Sequence, residues 1–229
     1  MHPDFDILRL ERYTKMNNDE SIVVLYKKRG VYYVMNIDKS LQVSVEMKAS
    51  ERLTYRLLNG NDFDLYYKLY TDARVMQYAY HDEFSTEEEA RDGFEQVLIK
   101  QGEDEEGAQF VVTHKESGSD IGIVDYHIET LHHAGGIYEI GYLVLPEFWG
   151  KGFATEMSQS LIDYLFDNFN IHKITASCHW DNKRFEGIMK KLHMKREGVL
   201  RKSRYKNRIW ADEVKYGLLK ENRSKTVSS

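Results

Sequence analysis

Two glycines set one residue apart, Gly150 and Gly152 with Lys151 between them, are the part of this chain that most directly suggests chemistry. They fall in "VLPEFWGKGFATE" (144–156), after an apolar run and before an amphipathic one. Glycine accepts backbone torsions that other residues avoid, and it lets a ligand come close to the amides. A loop of free N–H groups feeding a helix N-terminus is an anion site, because unpaired donors and the positive end of the helix dipole converge there. Gly150, Lys151 and Gly152 would supply amides, Lys151 a charge, and the helix from Ala154 its dipole. The alternative is a tight turn that binds nothing. Spelling removes two nucleotide loops. "GKGFAT" does not read G-x-x-x-x-G-K-[ST], and the dinucleotide pattern G-x-G-x-x-G needs glycine where Thr155 stands.

Other chemistries find little support. The single cysteine, Cys178, excludes an intramolecular disulfide framework and a multi-cysteine metal cage. It ends an apolar strand with no neighbour to lower its pKa, so it reads as structural rather than nucleophilic. No H-E-x-x-H or comparable ligand set occurs, so no catalytic metal is expected. The balance of 37 acids against 32 bases, a net charge of -5, argues against a nucleic-acid partner. No apolar stretch approaches the roughly 20 residues of a membrane helix, and "MHPDFDILRLERYTK" lacks the apolar core of a signal peptide. The expectation is a soluble, cytoplasmic protein without a membrane partner.

The elements that must position the glycine loop follow from periodicity. Runs 21–27, 31–37 and 41–47 are β-rich and punctuated by "KRG" and "DKS", so residues 1–50 are expected to form a β-rich extension, a three-stranded meander. Such a meander is too small to be stable alone and must dock on the main domain, as an extra edge, a cover or a contact between two copies in a homodimer. A short strand (53–57) meets a helix capped by Asp62, with Phe63, Leu65, Tyr66, Leu69 and Tyr70 at helical spacing. A second helix should begin at a capping box, Ser85 with Glu88, and run to Ile99. Strands are expected at 108–114, 120–128 and 137–145, then a helix from Ala154 to Phe169, a strand at 172–178 and a helix at 181–192 capped by Asp181 or Asn182. Two strands around "YKNR" close the domain at 222, and 223–229 reads as a polar, disordered tail. The order implies an α/β protein of α+β type with a mixed sheet.

In combination these segments are specific. "IYEIGYLVLPEFWGKGFATE", followed by "ITASCHWDNKR" and "GIMKKLHM", resembles the GNAT acetyltransferase superfamily, most of all its ribosomal-protein N-acetyltransferase (Rim-type) branch. "TYRLLNGNDFDLYYKLYTDARVMQY" and "REGVLR…IWADEVKYGLL" extend the resemblance over about residues 51–220. It implies a mostly antiparallel sheet with splayed central strands flanked by helices, residues 51–222 as the acetyltransferase domain, and acetyl-CoA as cosubstrate. The family's pyrophosphate pattern [QR]-x-x-G-x-[GA] falls on Glu147 to Gly152. By the resemblance, the pantetheine arm pairs with Leu143, Val144 and Leu145 like an added strand. Pro146 and Trp149 shape the turn, and Gly150, Lys151, Gly152, Phe153, Ala154 and Thr155 cradle phosphate. Asn182 matches an asparagine that bonds the pantetheine amide region, though it could equally be a helix cap.

Acetyl transfer to an amine needs a neutral nitrogen, a stabilised oxyanion and a protonated leaving thiol. An α-amino group or a lysine is mostly protonated at neutral pH, so a base or a water relay is required. Several relatives place a glutamate base where Glu139 stands, with Gly141 on the same strand face leaving room for substrate. A paired structural carboxylate is the alternative. The oxyanion would meet a backbone N–H near Val144. The proton donor is not assigned, because relatives' tyrosine and serine are replaced by Met189 and Phe185. His193 likewise replaces a helix-ending glycine, and Glu147 the first residue of the pyrophosphate pattern. His132, His133, Tyr55, Tyr78, Tyr80 and Trp210 are candidate walls for the acceptor. The acceptor is expected to be a small-molecule amine or a protein N-terminus. The competing reading is an acyl-CoA sensor or scaffold without turnover.

Overall fold

The computed structural model describes residues 21–28, 31–38, 46–80, 82–102 and 107–223. The chain divides into two compact units, Met1–Val45 and Glu46–Ser229. In the first, β1 (Ser21–Lys28) and β2 (Val31–Asp38) pair antiparallel from Ser21 with Asp38 to Lys28 with Val31. Of the third strand expected at 41–47, residues 41–45 lie outside the described residues. Glu46 and Met47 are not in a strand, and Met47 is buried in the core of the second unit.

The second unit is built on a seven-stranded sheet in the order β3-β4-β5-β6-β7-β9-β8. Its strands are β3 (Leu53–Leu57), β4 (Gly107–His114), β5 (Ser119–Thr130), β6 (Gly136–Val144), β7 (Ile171–His179), β8 (Lys195–Lys206) and β9 (Ile209–Leu219). All neighbours are antiparallel except β6 and β7. Helices α1 (Phe63–Thr71), α2 (Ala73–Met76) and α3 (Glu87–Gly102) close one face around Leu65, Leu69, Met76, Phe94 and Ile123. Helices α4 (Phe153–Asn168) and α5 (Lys183–Lys191) close the other around Met157, Leu161, Leu165, Ile174 and Met189. This is the mixed α/β architecture expected, with the odd-numbered residues of β6 toward α1–α3 and the even-numbered ones toward α4 and α5.

Local differences have identifiable causes. Asp62 occupies the α1 cap position but makes no cap bond. Its carboxylate takes two hydrogen bonds from Arg56, both at 2.7 Å, and one from the Asn59 amide at 2.8 Å. The α3 cap sits one residue later than the Ser85 box. Thr86 Oγ1 accepts from Glu89 N–H, and Glu89 Oε2 accepts from Ser85 N–H. The helix also runs on to Gly102 rather than ending at Ile99.

One irregularity organises everything that follows. β6 and β7 pair in parallel only from Gly136 with Ile171 to Glu139 with Thr175. Beyond Glu139 the two strands diverge, and β6 continues to Val144 bonded on its other side to β5. The splay expected between 140–145 and 172–178 is present. In the fork, Phe185 of α5 stacks on Tyr142, with ring centres 5.6 Å apart and planes 9° from parallel.

Candidate active site

The diverging strands open a cavity of about 890 Å³ that runs from the glycine loop along β6 to Glu139 and Asp125. At one end Gly150 and Gly152 have φ of +76° and +84°. L side chains rarely adopt those torsions, which explains why both positions are glycine. A Cβ at Gly150 would meet no atom within 4 Å, so the loop faces open space. Gly152 is the left-handed cap of α4, and the first intrahelical bond is Glu156 N–H to Gly152 O at 3.1 Å. The amides of Phe153, Ala154 and Thr155 therefore precede the hydrogen-bonded ladder and are open to an anion. The side chain of Phe153 is buried in the core, so only its amide is at issue. Lys151 does not line the cavity; its ammonium lies 5.2 Å from the Phe148 ring centre. Positive charge at this end comes instead from Lys183, Arg184 and Lys191, which do line it.

Arg52, which sequence reasoning missed, fastens this loop. Its backbone N–H and its guanidinium both donate to the Glu156 carboxylate, at 2.7 and 2.8 Å, and Nη1 donates to Lys151 O at 2.9 Å. Its guanidinium also sits 4.5 Å over the Phe153 ring. Burial works against the Glu156 charge, but the hydrogen bonds from Arg52 and Ser50 outweigh it and hold the carboxyl below the usual range. No sequence signal joins residues 104 positions apart.

Along β6 the backbone groups divide by parity. Leu145 is committed to the protein: its N–H donates to Ile121 O at 2.9 Å and its carbonyl accepts from Phe148 at 3.0 Å. Since Ile123 is opposite Leu143 in the same register, alternation turns the Leu143 groups to β5 and those of Tyr142 and Val144 into the fork. The expected trio thus narrows to Val144. Its carbonyl accepts from the Trp149 indole at 2.7 Å, leaving its N–H as the donor aimed into the gap. Asn182 caps α5 through Oδ1, accepting from Phe185 N–H at 3.1 Å, and also lines the cavity. Its amide nitrogen is the group left for a ligand, so the two expected roles are compatible.

At the far end Glu139 is buried and engaged. Oε2 lies 3.2 Å from His127 Nε2, and Oε1 accepts from the Tyr80 hydroxyl at 3.1 Å. Burial alone would raise its pKa, but hydrogen bonds from His127 and Ser177 and the charges of His127 and Lys215 win, holding it below the usual carboxylate range. The His127 imidazole is correspondingly raised, first by its bond to Glu139. The single Tyr80 hydroxyl proton is shared between Glu139 and the closer Glu213 carboxylate at 2.6 Å, and Arg204 spans this group from Tyr78 O at 2.6 Å to Glu213 at 3.3 Å. Arg204 is buried and its Nε has no partner among the described residues. Tyr78 and Tyr80 line the cavity as expected, whereas Tyr55, Trp210, His132 and His133 do not. The Tyr55 hydroxyl is tied to Ser160 of α4, and His132 and His133 are exposed and lean on each other.

Met189 and Phe185 belong to the core: Met189 is fully buried and Phe185 is buried against Tyr142. Cys178 is also buried, which pushes its thiol up to about 11. It is no thiolate at neutral pH. Among the described residues no group of three or more His, Cys, Asp or Glu could hold a metal, and no helix is long and apolar enough to cross a membrane.

A left-handed glycine loop at a strand-to-helix junction, feeding a fork between two parallel strands, defines an acyl-CoA-dependent transferase. The chain belongs to the GNAT acetyltransferase family, whose domain matches residues 52–195. It is 30% identical over 172 residues to the N-acetyltransferase YnaD of Bacillus subtilis strain 168, covering 75% of this chain and 96% of that one. It is 26% identical over 154 residues to the spermidine N(1)-acetyltransferase of Escherichia coli strain K12, covering 67% of this chain and 78% of that one. Its fold matches the Salmonella typhimurium acetyltransferase that modifies the N-terminal serine of ribosomal protein L7/L12. The TM-score is 0.66 at 18% identity, over 76% of this chain and 98% of that one. The chain is therefore an N-acetyltransferase that takes an acyl-CoA donor and an amine acceptor.

Proposed function

We propose that the chain moves an acetyl group from acetyl-CoA to a primary amine by direct attack in a ternary complex, without a metal. The pyrophosphate lies on the amides of Gly150 to Thr155, and Lys183 and Arg184 face its charge. The pantetheine arm occupies the fork, with the Asn182 amide as a donor to its carbonyls and the Val144 N–H as the donor to the thioester oxygen. That N–H would strengthen its bond as negative charge develops in the tetrahedral intermediate. Glu139 keeps a fixed negative charge at the acceptor end, and the buried, protonated Cys178 argues against an acyl-enzyme. The lone buried cysteine also accords with a reducing, cytoplasmic setting.

One observation carries this reading: β6 and β7 stop pairing at Glu139, and the cavity they open ends on two left-handed glycines. The acceptor is a small-molecule amine, as the spermidine relative takes, or a protein N-terminus, as the structural neighbour takes. The test is thiol release from acetyl-CoA with spermidine and serine-initiated peptides. CoA release that depends on an amine supports the enzyme. Tight acetyl-CoA binding with no release from any amine would favour the sensor.

A further inference from the structure

Glu139 is not the only carboxylate at the acceptor end of the cavity. Asp125 of β5 is directly opposite Gly141 in the β5–β6 register, and it lines the same cavity. An atom at the Cβ position of Gly141 would sit 3.0 and 3.1 Å from the two Asp125 carboxylate oxygens. The missing side chain at 141 is what leaves this carboxylate facing the space where β6 turns away from β7. Unlike that of Glu139, the Asp125 carboxylate has no hydrogen bond or ion pair among the described residues. The groups that act on it are His127 on its own strand, Glu139 on β6 and Tyr70 on α1.

We propose that Asp125 is the carboxylate that meets the acceptor's ammonium and takes its proton, while Glu139, occupied by His127 and Tyr80, positions the acceptor end. The proposal rests on the acetyltransferase reading and names the base within it. The step balances. An ammonium proton passes to an Asp125 oxygen, and the freed nitrogen lone pair attacks the thioester carbon. The C–N bond forms, the C–S bond breaks as the tetrahedral intermediate collapses, and the second nitrogen proton leaves with the thiolate to give free CoA thiol. Asp125 then returns its proton to water through the open cavity. Burial, the leading influence, raises the Asp125 carboxyl to about 6, with His127 opposing it and Glu139 adding to it. Such a base is anionic at neutral pH yet stronger than Glu139, whose carboxyl lies below its ordinary value of 4.5.

The experiment compares wild type, Asp125→Asn and Glu139→Gln from pH 5.5 to 10, with spermidine and a serine-initiated hexapeptide as acceptors and thiol release as readout. Acetyl-CoA affinity by calorimetry reports whether each variant keeps the folded donor site. Asp125→Asn should lose at least about 100-fold in kcat at pH 7. It should regain rate toward the amine's own pKa and bind acetyl-CoA within about twofold of wild type. Glu139→Gln should lose less and keep the wild-type pH profile. An Asp125→Asn enzyme with wild-type kcat and pH profile overturns the proposal, as does a Glu139→Gln enzyme that alone needs the alkaline rescue. Wild type inert toward both amines would instead overturn the acetyltransferase reading, and this proposal with it.

Discussion

The indole N–H of Trp149 donates to the carbonyl of Val144 at 2.7 Å, so a side chain from the loop takes a carbonyl that the fork in the sheet leaves without a strand partner. Trp149 thereby sets which face of Val144 a ligand can use. Its carbonyl is spent, and its N–H remains. Trp149 in turn carries the Arg184 guanidinium 5.2 Å from its ring centre, which ties the fork to the cationic end of the cavity.

Trp149→Phe keeps most of the apolar filling and removes that donor. A neutral hydrogen bond is worth about 0.5–1.5 kcal/mol net, so acetyl-CoA should bind roughly threefold to tenfold more weakly by calorimetry. Affinity equal to wild type would show that the Val144 carbonyl plays no part in shaping the cradle.

Arg52→Met should loosen the same loop from the other side, because Glu156, the Lys151 carbonyl and the Phe153 ring lose a shared partner. The Arg52 side chain is 40% exposed, so solvent screening limits its ion pair to about 1 kcal/mol or less. A drop of about 2–4 °C in Tm is expected, with several-fold weaker acetyl-CoA binding. The pH dependence follows from Glu156. Its folded pKa lies below its unfolded one, so its contribution is complete above about pH 4.3 and drains away as pH falls through the lower folded value. The wild-type advantage over Arg52→Met should therefore persist at neutral pH and shrink in acid. Melting curves at pH 7 and pH 3.5 check this.

Gly152→Val places a β-branched residue at φ +84° and fills the approach to the amides. The new Cβ meets only Arg52 Nη2, at 3.4 Å, an ordinary contact, so crowding by the protein is not the main penalty. Acetyl-CoA affinity should fall by more than about 100-fold, since both torsion and phosphate access are lost, each worth about 1–3 kcal/mol. Gly150→Ala, with open space around its Cβ, should lose less.

His193→Gly should stabilise the protein. His193 follows α5 at φ +58°, a left-handed torsion that favours glycine after a helix. Glycine removes a strain of about 1–2 kcal/mol but adds unfolded-state entropy of about 0.5–1 kcal/mol. A rise of about 1–3 °C in Tm, with acetyl-CoA affinity unchanged, is the expected result. A lower Tm would mean that the histidine side chain makes a compensating contact.

What the sequence disclosed was mostly local. The glycine loop is legible because its function lies in backbone torsion and spacing, which the residue types record directly. The fork was legible only through resemblance, since no residue of β6 announces where its pairing with β7 ends. Asp125 was invisible because its meaning comes from the bare Gly141 opposite it on another strand, and Arg52 because its partner is in α4. The α3 cap was misplaced by one residue because "STEEE" fits a capping box from either Ser85 or Thr86, and only backbone geometry chooses. Asp62 was read as a cap because its competitor, Arg56, reaches it from the preceding strand.

The most direct test of the central claim is a crystal structure of the chain with CoA. The pyrophosphate oxygens should lie within hydrogen-bond distance of the amides between Gly150 and Thr155, with the pantetheine in the fork and the sulfur near Val144. CoA bound at another site, or density in the fork with no phosphate on those amides, would contradict the account.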